Sequence, residues 1–382
     1  MPNIVARIPI TNVYMNGDYT GQILVGPHQQ PMNVILDTGS SALALDGHKY
    51  QPDVAGGDQT TNIAQTNTYG DGSNWAGAVV KTRVTVGSGG ATATVNDANV
   101  SVTYKESPDM FRAADGILGL AYAALDGAFQ MPQDTWTNQY PPTEVNLGTR
   151  TQILPYLTQL SNEGVTSDKV SFYTRRSFIH AGRGGADDPL NQGWMIVGGG
   201  EEATDLYSGS FQTAKVLADD WYSTNLKSIA VGGRAISISA QGAKGMSSNS
   251  IVDSGTNSID LGPQLLRAVF ALFSPAQQAL LRTSVIQRRI VPASRLHLVT
   301  WPDMTFVLQG DTADVSLRVV PQDYWQVDVG KVGAAFAAFT VGEEGLAILG
   351  LPLMNGYFTI FDGEADGGRG AIKFAPLKRA VI

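Results

Sequence analysis

The chain has 382 residues, with 34 acidic against 26 basic side chains, a net charge of −8 and no cysteine. Thiol catalysis, disulfides and cysteine-ligated zinc are thereby excluded, and with no long run of either charge no nucleic-acid partner is expected. The 43 glycines and 18 prolines, beside only 16% charged residues, suit many short strands joined by tight turns, and the length suits two domains.

In chain order, the segment Met1–Arg7 runs straight into strand-like alternation, and neither a signal peptide nor a basic pro-segment is read there. The expected compartment is the cytoplasm of a bacterium, or the periplasm or exterior if a leader has been removed. Residues 4–26 read as a hairpin around Gly17-Asp18. The apolar run Val34-Ile35-Leu36 then breaks at Asp37-Thr38-Gly39-Ser40. A turn at Tyr69-Gly70-Asp71-Gly72-Ser73 precedes two paired strands, Asn74–Val86 and Thr92–Tyr104, joined through Gly87–Gly90. Ala114–Leu120 reads as a core strand, and Asp126–Thr149 and His180–Gln192 as polar surface insertions. The spacing of Ile153, Leu157 and Leu160 predicts a helix over Arg150–Glu163. The junction between two lobes, 1–200 and 201–382, is expected near Gly200–Ala203.

In the second half, Ser250-Ile251-Val252 breaks at Asp253-Ser254-Gly255-Thr256. Proline at the first turn and apolar spacing predict a helix over Pro263–Phe273. Ser274 caps a second helix through Leu281, and Leu346–Pro352 is another apolar strand ending in glycine. The four histidines (His28, His48, His180, His297) are scattered and read as solvated or incidental, so no metal and no cofactor is expected. No apolar run reaches membrane-spanning length, and no membrane partner is expected.

One Asp-Thr-Gly would be read as an Asx turn closing a strand. Two copies, each after an apolar strand, each extended by a hydroxyl residue and each followed later by an Ile-Leu-Gly strand, indicate an internally duplicated chain. Each copy delivers one desolvated carboxylate. Two carboxylates sharing a site yield an acid and a base from one residue type. The glycine lets the next peptide approach the carboxylate, Ser40 and Thr256 can donate to its outer oxygen, and Thr38 and Ser254 can lock the two loops together.

These motifs resemble the pepsin-like, bilobal aspartic endopeptidases. The resemblance runs along nearly the whole chain: Tyr19-x-Gly21-x-Ile23-x-Val25-Gly26, the Asp37 cassette, Tyr69–Ser73, Asp115–Leu120, the Asp253 cassette and Ile348-Leu349-Gly350. It implies an all-β fold of two related barrel-like lobes with a few short helices. It also implies a catalytic pair, Asp37 and Asp253, holding a water, and a flap with Tyr69, Gly70, Asp71, Gly72 and Ser73. Gly72 and Gly255 would pair with the backbone of an extended peptide. Ile35, Phe111, Ala114 and Ile117 would line the pocket before the scissile bond, and Trp221 would lie on the leaving-group side. The expected activity is cleavage between bulky apolar residues at acidic pH, by a monomer inhibited by statine peptides such as pepstatin. Lysine before the scissile bond would be tolerated if Asp71 faces it, as in similar fungal enzymes; otherwise Asp71 only shapes the turn.

The chain departs from the family pattern at three places. Seven residues after Asp37, where the family has a tryptophan bonded to the flap tyrosine, stands Ala44, leaving a looser flap or a substitute in Trp75. Leu351 follows the second Ile-Leu-Gly in place of aspartate, which bears on the pH optimum. Asn257 replaces a hydroxyl residue that contacts substrate. The rival reading is a silent pepsin-fold binding or inhibitor-like protein, which would lose an Asp, a glycine of the pair or the flap tyrosine. A glycine-rich carbohydrate-binding or capsid-like domain gives no account of the duplication.

Overall fold

A computed structural model describes residues 4–15, 17–136, 148–182 and 185–378. The chain forms two compact units, and it passes between them more than once. The first takes the chain up to Ile10, then Thr20–Val170 and Met195–Gly199; the second takes Thr11–Tyr19, Ser171–Trp194 and the chain from Gly200.

The first unit is built on a closed six-stranded barrel, and the pairings show how it closes. From Thr20 to Val25 the strand Asp18–Val25 pairs antiparallel with Gln30–Asp37, which lies parallel to Gly116–Gly119. Leu43–Leu45 runs antiparallel to Gly116–Gly119 and parallel to Ala91–Glu106. Ala91–Glu106 pairs with Asn74–Ser88, and Val84–Val86 returns to Ile23–Val25 to complete the ring. Alternation sends Ile23, Val34, Leu36, Val84, Val100 and Leu118 into a core where all are buried. Each contributes roughly 1.5–3 kcal/mol of apolar burial. The turn between the two long strands is tighter than expected: they run to Ser88 and resume at Ala91, leaving only Gly89-Gly90 as the turn.

Two expectations in this unit are corrected. Arg150–Glu163 is not one helix. Thr149–Gln152 is a strand paired with Gly127–Gln130, and the helix is Tyr156–Asn162, starting directly after Pro155. Proline forces the residue before it out of the helical region, so the periodicity of Ile153 with Leu157 and Leu160 crosses a break. Nor is Asp126–Thr149 wholly a surface insertion. Asp126 is buried and Gly127–Gln130 extends the sheet beside Gln59–Thr68. Residues 137–147 of that segment lie outside the described residues.

In the second unit a five-stranded sheet has the order Ser223–Thr224, Ser250–Val252, Ala347–Leu349, Ile259–Leu261, Phe339–Val341. It repeats the first unit's central device: the strand Ser250–Val252, just before Asp253, runs parallel to Ala347–Leu349, which runs antiparallel to Ile259–Leu261. Phe273, Trp301, Tyr324, Trp325 and Phe339 form a core cluster of edge-on and tilted rings. The helix predicted to Phe273 ends at Phe270, and Phe273 is buried just beyond it. Ser274 does cap the next helix, Pro275–Leu281, reciprocally with Gln277. His180–Gln192 is an ordered segment where described, residues 183–184 lying outside. Its His180 is not incidental, since Nδ1 lies 2.6 Å from the buried Asp188 carboxylate. Among the described residues no helix is long and apolar enough to cross a membrane.

Candidate active site

Asp37 ends its strand beside Gly119, its parallel partner. The chain then turns directly over that glycine: a Cβ there would lie 2.4 Å from the carbonyl carbon of Ser41, so only glycine fits. The Gly119 N–H also donates to the carbonyl of Ala42 at 3.0 Å. The turn folds the loop back on its own aspartate. The Asp37 carboxylate, 5% exposed, accepts from the Gly39 N–H at 2.8 Å on Oδ1 and from the Ser40 hydroxyl at 2.5 Å on Oδ2. The donor is the glycine's own N–H, not that of the peptide after it as expected. Two donors aimed at one buried carboxylate satisfy both oxygens and fix its plane.

The second unit repeats the two donors to the carboxylate. Asp253, 7% exposed, accepts from the Gly255 N–H at 2.8 Å on Oδ1 and from the Thr256 hydroxyl at 2.6 Å on Oδ2. A Cβ on Gly350 would lie 2.1 Å from the carbonyl oxygen of Thr256, and the Gly350 N–H donates to Ser258, five residues after the aspartate as Ala42 is after Asp37. Thr38 and Ser254 are buried. Leu351, the departure from the expected aspartate, is fully buried and donates its N–H to Thr256.

The turn Tyr69–Ser73 joins Gln59–Thr68 to Asn74–Ser88, and it closes with the Tyr69 N–H donating to the Ser73 carbonyl and the Gly72 N–H donating to the Tyr69 carbonyl. Gly72 adopts a positive φ of 85°, which a side chain would resist. Asp71 is exposed with Gly70 at the tip, and its Oδ1 accepts both the N–H and the hydroxyl of Ser73, at 2.9 and 2.6 Å. That carboxylate shapes the turn. Tyr69 points inward: desolvation, and then the negative charge of Asp37, push its phenol above the ordinary range, with Ser40 and Asn67 beside it. Trp75, 1% exposed, donates its indole N–H to the Tyr69 oxygen at 3.0 Å.

The chain matches the family model described as eukaryotic aspartyl protease over residues 18–376. It is 26% identical over 367 residues to pepsin II-2/3 of Oryctolagus cuniculus, covering 91% of this chain and 79% of that protein. It is 25% identical over 393 residues to pepsin A of Rhinolophus ferrumequinum, covering 98% of this chain and 85% of that protein.

The chain belongs to the aspartyl protease family. As an aspartic endopeptidase it acts on peptide bonds. In each unit one buried aspartate receives the same two donors. The remaining expected residues are spread more widely. Ile35 and Ile117 face each other across paired strands, and both are buried, as is Phe111. Asn257 follows Thr256 and is half-buried, and Trp221 is half-buried with its backbone N–H donating to the Asp220 carboxylate at 2.7 Å.

Sequence reasoning missed Asp260. It stands seven residues after Asp253, the spacing at which the first cassette has Ala44, and the two occupy equivalent strand positions, opposite Ile348 and Ile117. Ala44 is fully buried between Ile117 and Ser101. Asp260 puts a carboxylate in that place, bonded by the Ser258 hydroxyl; burial first, and the charge of Asp253 as well, push it up to about 6. Comparing the two cassettes at equal spacing would have found it.

Because Ala44 offers no indole, the Tyr69 bond rests on Trp75. Trp75→Phe is expected to lower kcat/KM by about tenfold, the worth of one neutral hydrogen bond at the upper end. Tyr69→Phe should lower it at least as much, since it removes that bond together with the hydroxyl's bonds to Ser40 and Asn67. Steady-state kinetics on one peptide with both variants checks this; full activity in Trp75→Phe would remove the bond from the account.

Proposed function

We propose that the protease cleaves extended peptides between bulky apolar residues in mild acid, through a water held by Asp37 and Asp253. The observation that carries this reading is the repeated clamp, in which two buried aspartates receive the same two donors. One carboxylate, ionised, takes a proton from the water as it attacks the scissile carbonyl; the other, protonated, donates to the carbonyl oxygen. The tetrahedral intermediate then collapses as a proton passes to the leaving nitrogen. Tyr69 closes the turn over the peptide and excludes water. Gly72 and Gly255 offer backbone to the extended chain. Ile35, Phe111 and Ile117 offer only hydrophobic contact on one side of the bond, with Trp221 and Asn257 on the other. Since Ser73 holds Asp71 in the turn, the preference for apolar residues rests on those three, and Asp71 needs no lysine partner.

A digestion series from pH 3 to 8 on a denatured protein tests the proposal. Activity should peak in mild acid, fall toward neutrality as the shared proton is lost, and disappear with pepstatin. Chelators and serine-directed fluorophosphonates should leave it unchanged. The same series on Asp260→Asn should move the neutral-side loss to lower pH by about half a unit, because a like charge beside the pair helps it retain its proton. A maximum at or above pH 7, or turnover indifferent to pepstatin, would refute the reading.

A further inference from the structure

From Leu261 to Pro302 the protein has no acidic residue but has five arginines, in a chain whose net charge is −8. None of Arg267, Arg282, Arg288, Arg289 or Arg295 pairs with a carboxylate among the described residues, and all five are exposed. The expectation of no nucleic-acid partner rested on the lack of a long charge run, which does not report how charge is distributed over the folded surface.

The fold concentrates part of this charge on one edge of the second unit. After the helix Pro275–Leu281 the chain widens into a single π turn, Arg282–Ile286, and the Arg289 N–H returns to the carbonyl of Thr283. That leaves Ile286-Gln287-Arg288-Arg289-Ile290 wholly on the surface, with Arg288 at a positive φ of 50°. The next residues, Val291–Pro292, pair with Ala334–Ala335, and the Ala293 N–H bonds Gly333. The exposed tip Lys331-Val332 is thereby brought alongside. Ile286, Ile290 and Val332 are 56%, 52% and 70% exposed. Asp328 lies in the same tip and is engaged by His180 and by the Gly333 N–H.

We propose that this edge docks the protein on an anionic phospholipid surface, the arginines meeting phosphates and Ile286, Ile290 and Val332 entering the interface. Apolar side chains projecting from turns between unpaired arginines suit a soft, flat, negatively charged partner. A phosphodiester also keeps its charge in mild acid, where the carboxylates of an acidic polypeptide begin to lose theirs. The docking needs neither catalytic aspartate, so it stands apart from the proposed cleavage.

Co-sedimentation with vesicles tests it, using pure phosphatidylcholine against phosphatidylcholine with one part in four phosphatidylglycerol. The whole protein should partition onto the anionic vesicles only, and less at about 0.5 M than at about 0.05 M salt. Arg288→Gln with Arg289→Gln should weaken partitioning about 25-fold, roughly fivefold per arginine. Ile290→Ser with Val332→Ser should weaken it as well, while cleavage of a free peptide is unchanged in both pairs. Failure to bind anionic vesicles, equal binding to neutral ones, or binding untouched by both pairs would overturn the proposal. So would capture by poly-glutamate without capture by vesicles.

Discussion

Asp37→Asn and Asp253→Asn are each expected to reduce turnover by on the order of 10³-fold or more, with little change in melting temperature. The chemical loss is large because an amide can neither take the water's proton nor return one, and neither aspartate has a substitute on its own loop. The structural loss is small because asparagine keeps an acceptor oxygen for Gly39 or Gly255, and its NH2 can donate to the hydroxyl of Ser40 or Thr256, which rotates to accept. Single-turnover cleavage beside thermal melts decides it. Substantial cleavage in either variant would mean that the two clamps do not act as a pair.

The second large effect concerns Asp126, which the sequence placed in a surface segment. Its carboxyl is 2% exposed and accepts from the Gln65 amide at 2.7 Å; Gln65 in turn accepts from Ser101. Burial raises it from the ordinary 3.8 to about 7, the Gln65 bond opposing only part of the shift. The folded protein therefore holds a proton that the unfolded chain releases between those two values. Stability is fully present below about pH 4 and declines by about 1.4 kcal/mol per pH unit as pH rises. Near pH 7 the loss reaches about 4 kcal/mol. Urea melts at pH 4 and pH 7 should show this decline in the wild type and much less of it in Asp126→Asn. Parallel declines in the two proteins would assign the pH dependence to other groups. Gln65 lies on the strand leading into the Tyr69 turn, so ionising Asp126 acts on the frame of that turn.

The sequence alone determined the features carried by local spacing. The two Asp-Thr/Ser-Gly cassettes, the strands before them, the glycine-ended strands after them and the Tyr69 turn are each short and contiguous, and each has a local cause: a β-branched run, or a glycine that only one geometry requires. The family resemblance rests on those same residues. Tertiary structure decided whatever depends on partners distant in sequence. Arg150–Gln152 became a strand because Gly127–Gln130 lies beside it, overriding a helical spacing. Asp126 became a buried acid because Gln65, 61 residues earlier, reaches it. Trp75 makes the bond to Tyr69 because Asn74–Ser88 folds back along Gln59–Thr68 and sets Trp75 opposite Asn67, beside the turn. The five arginines were visible as letters, but only the pairing of Val291–Pro292 with Ala334–Ala335 shows where Val332 joins them. Burial and proximity are properties of the packed chain, and a linear pattern reports them only where the packing is periodic.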